Sequence, residues 1–435
     1  MNIFPTILKL QGYPIQAARQ QLDEMHSWDI SKRLAWVESQ QWLIFRHHHQ
    51  TNPWYRAKCA AAVPEDWTSL PILRKQDFQE GLSQCLSSAY TLKEVYVGNT
   101  SGSSGHPFYF AKDKPCHALT WANIMYQYRQ HGIELGERQA RFYGIPLSGV
   151  SRWKELAKDY IGNRVRFPVF DLSDSVLEQW LARFRRERFV YTYGYTSAMT
   201  CFARFCRSRG LVLQQLCPTL RACIVTSETC TPEDRNILRE GFGVPVINEY
   251  GASETDVMAF DRPDGQWGIC ATNVFLEVVD DAGRSLPDGQ EGRILVTALH
   301  NKAMPVIRYD IGDLGVLGRD QQGLPVLRQL SGRVNDMAVL PSGRKAAGLT
   351  FYYISRSLLE RGGFLREFII RQTALDTFVF QIVSDRELSQ AETAAIRQQM
   401  DLYLEPGLKL IVERVPAIER SGAGKIKHFY SEIQV

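Results

Sequence analysis

Short apolar runs alternate with helical patterns through much of the chain. Apolar and β-branched side chains predict strands at residues 95–97, 222–226, 245–248, 275–279 and 293–298. Apolar positions near the helical period predict helices at residues 16–24, 32–45, 177–188 and 197–209. This alternation of strands and helices favours an α/β arrangement.

The last hundred residues have a pattern of their own. Residues 368–371, 378–383 and 408–412 are predicted strands, and Ser389 stands three positions before Glu392, which is the spacing of a capping box. A helix is therefore predicted from there to about Tyr403. We expect a large, multi-layered α/β N-terminal domain over residues 1–334 and a small α+β C-terminal domain over residues 335–435.

Composition narrows the class of protein. The formal net charge of +4 is too small, in 435 residues, to indicate a nucleic-acid partner or a membrane surface. Nine cysteines without a Cys-x-x-Cys pair predict reduced thiols and a cytoplasmic location. No apolar run is long enough to predict a membrane span, and the N-terminal residues do not have the pattern of a signal peptide.

A segment rich in glycine and hydroxyl groups follows the first predicted strand. It reads Thr100, Ser101, Gly102, Ser103, Ser104, Gly105. Glycines let backbone N–H groups approach phosphate oxygens, and the hydroxyls add donors. The segment lacks the Gly-Lys-Ser/Thr ending of a Walker loop, which disfavours a P-loop NTPase. Taken alone, it is also compatible with a flexible loop.

Two further segments carry aromatic and acidic side chains at the ends of strands. In residues 248–254, Tyr250 could stack on a base and Glu254 could hold a magnesium ion. In residues 308–313, Asp313 could accept hydrogen bonds from two ribose hydroxyls. Taken alone, residues 248–254 are equally compatible with a turn that ends a strand, and for residues 308–313 a surface ion pair is the commoner explanation.

The fourth and fifth segments lie at the predicted domain boundary and near the C-terminus. They are residues 332–336, which contain Arg333 and Asn335, and the glycine-rich residues 420–427, which contain Lys425. In isolation, a lysine on such a loop is a solvated charge.

The five segments, in this order, resemble the core motifs of the adenylate-forming superfamily of acyl-CoA synthetases and peptide-synthetase adenylation domains. Residues 52–55 and 70–77 are similar to the N-terminal region of the phenylacetate-CoA ligase family. Residues 142–150 and 152–159 resemble the CapK branch, which is linked to capsule or cell-surface polysaccharide biosynthesis.

The resemblance implies a role for each segment. Residues 100–105 would cradle the outer phosphates of ATP, and Asp313, with Arg333 nearby, would bind the ribose. Glu254 would hold Mg2+, and Lys425 would contact the reacting carboxylate and the α-phosphate. The remaining nucleotide-site residues implied are Ser227, Glu228, Thr229, Glu249, Tyr250, Gly251 and Ser253.

The resemblance also implies a reaction and its partners. A carboxylic acid, aryl or short acyl, would react with ATP to give an acyl-adenylate and pyrophosphate, and the acyl group would pass to a thiol, with coenzyme A expected. The acid would lie near Tyr143, Ile145 and Tyr195. The C-terminal domain would be mobile about a hinge at Asn335, where the family usually has aspartate.

Alternatives remain open at this point. The acceptor could instead be a carrier protein, or an amine or hydroxyl of a glycan precursor, as CapK-like features indicate. A non-catalytic nucleotide-binding module is a further alternative of another class. Residues 260–267 contain no Cys or His where relatives carry zinc ligands, so we predict no structural zinc. The sequence leaves a homodimer open.

Overall fold

The computed structural model describes residues 4–59, 66–99, 109–143, 149–169, 174–333, 338–343, 345–346, 354, 365–418 and 429–433. Over these residues the helices are α1 (Phe4–Leu10), α2 (Ile15–Ser27), α3 (Ile30–Thr51), α4 (Pro53–Lys58), α5 (Lys114–Gln130), α6 (Gly149–Ile161), α7 (Asp174–Arg186), α8 (Thr196–Ser208), α9 (Leu213–Leu216), α10 (Pro232–Phe242) and α11 (Gln390–Tyr403). Two short 3-10 helices span Trp67–Ser69 and Lys75–Glu80.

The strands of the first 333 residues are β1 (Tyr96–Asn99), β2 (Tyr109–Lys112), β3 (Gln139–Phe142), β4 (Arg164–Phe167), β5 (Tyr191–Tyr195), β6 (Ala222–Thr226), β7 (Val246–Ala252), β8 (Asp256–Asp261), β9 (Trp267–Ile269), β10 (Val274–Val279), β11 (Glu291–Ala298), β12 (Tyr309–Arg319) and β13 (Pro325–Arg333). The strands that follow are β14 (Ala338–Val339), β15 (Lys345–Ala346), β16 (Leu365–Ala374), β17 (Thr377–Ser384), β18 (Lys409–Arg414) and β19 (Phe429–Ser431).

The chain divides into two compact units. Among the described residues, the first contains 4–311 and 316–329, and the second contains 312–315 and those from 330 onward. The predicted domain boundary between 334 and 335 lies outside the described residues, so its position stays a prediction. The predicted α/β fold class is confirmed by the large mixed sheet and its helices.

The large sheet has eleven strands among the described residues, in the order β10-β11-β12-β13-β9-β8-β7-β6-β5-β3-β4. The strands β4, β3, β5, β6 and β7 are parallel, and β8 reverses direction beside β7. In β6, Cys223 and Val225 pack into one core while Ala222 and Ile224 pack into another. Alternate strand residues point to opposite faces, so helices cover both faces of this sheet.

The two cores are built from different helices. One contains buried residues of α7, α8 and α10, including Trp180, Phe202 and Phe242. The other contains residues of α2 and α5, including Leu22 and Met125. This layered packing is the arrangement expected when helices cover both faces of a mostly parallel sheet.

The second unit has its own sheet and core. Its four described strands have the order β18-β17-β16-β19. The helix α11 begins at Ser389, whose hydroxyl accepts from the Glu392 N–H while the Glu392 carboxylate accepts from the Ser389 N–H. The predicted capping box is therefore confirmed, and Ile396 and Met400 of this helix pack into the core with Phe378 and Phe380.

Several elements are longer than their apolar patterns predict. The strand predicted at 245–248 continues to Ala252 because its later residues pair with the antiparallel β8. The helix predicted at 32–45 runs from Ile30 to Thr51, since the Asp29 side chain caps its start. It stops there because Asn52 precedes Pro53, the first residue of the next helix. Among the described residues, no helix is both long and apolar enough to cross a membrane.

Candidate active site

The carboxyl ends of four parallel strands meet at one edge of the large sheet. The register pairs Phe142 with Gly194, Tyr195 with Thr226, and Thr226 with Glu249. In open α/β sheets, ligands bind in the crevice beyond these strand ends. Residues predicted from three separate segments of the sequence are therefore brought together here.

Three tyrosines form a group at the ends of β3 and β5. The ring centroid of Tyr143 lies 4.2 Å from that of Tyr195 and 5.8 Å from that of Tyr193, with an interplanar angle of 9° for the second pair. Tyr143 is half-buried, whereas Tyr195 is only 2% exposed. Tyr143 can therefore present ring surface to a ligand, and Tyr195 mainly supports it from behind. Ile145 lies outside the described residues.

The loop after β6 contains the predicted residues Ser227, Glu228 and Thr229. Ser227 has a positive φ of 70° and is exposed, and its hydroxyl lies 3.0 Å from that of Tyr143. One carboxylate oxygen of Glu228 accepts from the Ser197 N–H, at 2.8 Å, in the first turn of α8. A carboxylate there satisfies an unpaired helix donor and favours the helix dipole. Glu228 thus anchors the loop to a helix, a role that the sequence pattern does not reveal.

Glu249, on β7, is buried at the centre of this group. Its Oε1 atom accepts a hydrogen bond of 2.7 Å from the Tyr193 hydroxyl. Burial raises the pKa of the Glu249 carboxyl, and the hydrogen bond from Tyr193 opposes that rise. Glu249 is thereby tied to the tyrosine group.

Tyr250 and Gly251, which follow Glu249 in β7, belong to an irregular end of that strand. Tyr250 is 8% exposed, and its ring faces the edge of Trp267 at 6.1 Å. The pairing of β7 with β8 shifts between Tyr250 and Gly251, and a Cβ at Gly251 would lie 2.7 Å from the Asp256 carbonyl oxygen. Only glycine fits that close approach. The stacking of Tyr250 on a base stays a prediction, as does a nucleotide contact by the exposed Ser253.

Glu254 is a buried carboxylate that is only partly satisfied. It is 7% exposed, and its Oε1 atom accepts a bond of 3.3 Å from the Tyr309 hydroxyl. Its Oε2 atom is buried and has no hydrogen-bond partner among the described residues. A carboxylate oxygen of this kind suits a hard divalent cation such as Mg2+. The residues present therefore fit the metal predicted at Glu254.

The segment that contains Tyr309 is anchored by its neighbours. Arg308 is 1% exposed, and its guanidinium group donates to three backbone carbonyl oxygens, at 2.6, 2.9 and 3.0 Å. Asp310 forms an ion pair of 2.6 Å with Arg293. Asp313 lies on β12 and is 7% exposed, and for Arg333 only the backbone, at the end of β13, is described. Their ribose contacts stay predictions.

Other predicted site residues cannot be located. Residues 100–105, Asn335 and Lys425 lie outside the described residues. The glycine-rich segment is bracketed by β1 and β2, which pair antiparallel from Asn99 and Tyr109 onward. Among the described residues, no group of three or more His, Cys, Asp or Glu side chains could hold a metal ion, and the absence of zinc stays a prediction.

Sequence reasoning missed Tyr193, Tyr309 and Arg141. The Arg141 guanidinium lies 4.5 Å from the Tyr143 ring centroid and 4.9 Å from that of Tyr193. The period of two along β5 could have found Tyr193, because it places residues 193 and 195 on one face. Arg141 is likewise two positions before Tyr143, but no pattern identifies its contacts across the sheet.

A protein family and several individual proteins are similar to this chain, and these matches agree with one another. The family described as AMP-binding enzyme matches residues 95–301. A phenylacetate-coenzyme A ligase from Pseudomonas putida is 26% identical over 347 residues, which cover 74% of this chain and 76% of that protein. Protein CapK from Staphylococcus aureus is 23% identical over 275 residues, or 61% of this chain and 59% of that protein.

A solved structure agrees with the fold. The crystal structure of 2-hydroxyisobutyryl-CoA ligase in the postadenylation state, in complex with R3-HIB-AMP, matches with a TM-score of 0.68 and 19% identity. The match covers 93% of this chain and 91% of that one.

Residues 95–301 of the chain match the AMP-binding enzyme family, and the chain is similar to phenylacetate-coenzyme A ligases and to CapK. These matches confirm the resemblance predicted from the motifs. The prediction of an AMP-forming ligase of the acyl-CoA synthetase type is likewise confirmed as a class.

Proposed function

We propose that this chain activates a carboxylic acid with ATP to give an acyl-adenylate and pyrophosphate, and then transfers the acyl group to the thiol of coenzyme A. The observation that best supports this proposal is that β3, β5, β6 and β7 end at one edge of the sheet. Tyr143, Ser227 and Glu249 lie close together at these carboxyl ends. The printed names of the phenylacetate-coenzyme A ligase relatives support the acid and the thiol as substrate classes.

The acid would pack against the half-buried ring of Tyr143. That ring is held by Tyr195 at 4.2 Å and by a hydroxyl contact with Ser227. A fixed aromatic face favours the apolar part of a ligand, and it suits a flat ring or a short acyl chain. Ile145 is proposed to complete this wall.

The nucleotide would extend from the loop after β6 towards Glu254. Residues 100–105 are proposed to hold the outer phosphates, Tyr250 the base, and Asp313, with Arg333, the ribose. Glu254 would hold Mg2+ through its buried Oε2 atom, with Tyr309 fixing the other oxygen. When bound, the ion would neutralise charge that develops on phosphoryl oxygens.

The first step forms one bond and breaks one. A carboxylate oxygen of the acid attacks the α-phosphorus of ATP, and pyrophosphate leaves with the electrons of the broken P–O bond. Lys425 is proposed to stabilise the charge that develops on the α-phosphate and the reacting carboxylate. In the second step the thiolate of coenzyme A attacks the acyl carbon, and AMP leaves.

The second step would use the same site, but different side chains would line it. We propose that residues 335–435 form a mobile domain that turns about Asn335 between the steps, so that Lys425 contacts the substrates only during adenylation. A cytoplasmic location, predicted from the reduced thiols, is consistent with a supply of ATP and coenzyme A.

The similarity to CapK favours a second class of acceptor for the acyl group. The match to CapK covers 61% of this chain, and the sequence resembles that branch over residues 142–150 and 152–159. The acyl group could then pass to a carrier protein, or to an amine or hydroxyl in polysaccharide biosynthesis. The first half-reaction is the same for every acceptor.

The test separates the two half-reactions. The full chain is incubated with ATP, Mg2+ and single members of a carboxylic acid panel, with hydroxylamine present to trap the acyl-adenylate. We expect acid-dependent release of pyrophosphate and AMP, and no ADP. Addition of coenzyme A in place of hydroxylamine should give a thioester. ATP binding without acid-dependent pyrophosphate release would instead identify a non-catalytic nucleotide-binding module.

A further inference from the structure

Three arginines lie side by side on β3 and β4, next to the tyrosine group. The parallel register pairs Gln139 with Arg164 and Arg141 with Arg166. Because these positions alternate along each strand, the three arginines share one face of the sheet. Among the described residues, Arg166 is the one member of the three that forms ion pairs with carboxylates, with Asp159 at 2.7 Å and Glu155 at 3.0 Å.

Arg141 is poorly satisfied for a cation that is half-buried. Its one described hydrogen bond runs from Nη1 to the Gln139 side-chain oxygen at 3.3 Å, and its Nε atom is buried without a partner among the described residues. The rings of Tyr143 and Tyr193 lie beside the guanidinium group. The rings provide no negative charge, and Glu249 and Asp159, the acidic groups that act on Arg141, form no ion pair or hydrogen bond with it among the described residues.

Arg164 adds a second such charge on the neighbouring strand. Among the described residues, no side chain forms an ion pair or a hydrogen bond with its guanidinium group. Burial lowers the pKa of Arg164, and the nearby charge of Arg141 lowers it further. Asp159, the acidic group that acts on both arginines, already binds Arg166 through both of its oxygens.

Other arginines in the same unit are matched by carboxylates. Arg308 faces Glu277 at 3.3 Å, Arg235 pairs with Asp261 at 2.6 Å, and Arg293 pairs with Asp310 at 2.6 Å. An unmatched charge costs free energy when it is removed from water. Arg141 and Arg164 are each only half-buried, so a ligand can still reach them.

We propose that Arg141, with Arg164 beside it, binds a second anionic group on the acid substrate. The preferred acids would carry a carboxylate or another anionic oxygen group at the end remote from the reacting carboxylate. The contact between Arg141 and the ring of Tyr143 places this charge at the acid wall. This inference rests on the proposed function for the reaction, but binding of the anion can be measured without turnover.

A purely structural role for Arg141 makes opposite predictions. If the guanidinium group only stacks between two rings, Arg141→Met should lower the melting temperature and leave acid selectivity unchanged. If it is an unmatched cation kept for a ligand, the neutral side chain should not lower the melting temperature. Arg141→Lys retains the charge and should keep part of the selectivity, which controls for a loss of fold.

The experiment compares glutarate with valerate, and a carboxyphenylacetate with phenylacetate. Melting temperatures of the full chain are measured with each acid, and kcat and KM are measured for acid-dependent pyrophosphate release. The matched control is Arg188→Met, which removes an exposed arginine of the same unit. We expect the wild type to prefer the diacid of at least one pair by roughly 10- to 100-fold in kcat/KM, mainly through KM.

Arg141→Met should abolish that preference and the diacid-specific rise in melting temperature, whereas Arg188→Met should retain both. The proposal of an anion site is overturned if the wild type does not prefer the diacid. It is also overturned if Arg141→Met shows the same preference as the wild type. If no acid drives pyrophosphate release, the proposed function fails. The melting temperatures would then still decide the anion site, because they do not depend on turnover.

Discussion

The guanidinium groups of Arg308 and Arg141 lie in the same unit of the chain, and their partners differ. Arg308 donates to the carbonyl oxygens of Thr68, Leu70 and Gly283 and faces the buried carboxylate of Glu277. Arg141 has one long hydrogen bond and two aromatic neighbours, and it forms no ion pair with a carboxylate among the described residues.

The difference separates two uses of a buried charge. A fully satisfied group fixes the backbone segments that it bonds, and its removal leaves several buried partners unpaired. A poorly satisfied group contributes little to folding, so its presence points to a ligand. Arg308 joins three segments of chain, whereas Arg141 lies at the proposed acid wall.

The largest expected effect is on folding. Arg308→Met should lower the free energy of unfolding by roughly 3–5 kcal/mol, because Glu277 would be left as an uncompensated buried charge. The backbone of Arg308 has a φ of 44°, and methionine would bear the same strain, so the change reports the side-chain contacts. Denaturant unfolding of the variant and of the wild type measures this change in the free energy of unfolding.

A second variant shows whether the charge is the cause. Arg308→Met combined with Glu277→Gln removes both charges and should recover part of the loss. If the single variant is as stable as the wild type, Arg308 is not a structural anchor, and the contrast with Arg141 disappears.

Lys425→Ala should have the opposite effect to Arg308→Met, because it should slow the reaction and leave the stability nearly unchanged. The residue lies in a glycine-rich segment where no core contact is expected, so the unfolding free energy should change by less than about 0.5 kcal/mol. Loss of a preorganised cation should slow adenylate formation on the order of 100- to 1,000-fold. Single-turnover pyrophosphate release measures the rate, and an unchanged rate would leave Lys425 as a surface charge.

Glu254 extends the comparison to a buried acid. Like Arg141, it keeps one buried polar atom without a described partner. Glu254→Gln should retain the hydrogen bond from Tyr309 and leave the unfolding free energy near that of the wild type. Adenylate formation should fall on the order of 100-fold, because a neutral amide is a poor ligand for Mg2+. The Mg2+ concentration that gives half the maximal rate should be higher for the variant than for the wild type, and an unchanged value would contradict this assignment.

Local signals predicted the elements better than they predicted the site. The strand at 222–226 has the predicted bounds because all five residues are buried, and the capping box at Ser389 needs only residues three apart. The meeting of Tyr143, Ser227 and Glu249 depends on the order of the strands, which no local pattern contains. The unmatched charge of Arg141 is a tertiary property, since Asp159 binds Arg166 instead.

The smallest expected effect concerns Glu249, and it is a dependence on pH. Burial raises the pKa of its carboxyl above the ordinary value of 4.5. Between 4.5 and that raised value, the folded chain holds a proton that the unfolded chain has released. The contribution of Glu249 to stability is therefore full below about pH 4.5 and falls as pH rises through this window.

Glu249→Gln removes this titration while its side-chain oxygen can still accept from Tyr193. The variant should therefore gain stability relative to the wild type as pH rises above 4.5, until the difference reaches a plateau. The height of the plateau, divided by about 1.4 kcal/mol per pKa unit, gives the shift. Unfolding free energies of both proteins from pH 4.5 to 8 measure it. A difference that does not change with pH would mean that Tyr193, Thr226 and Arg141 together offset the burial of Glu249.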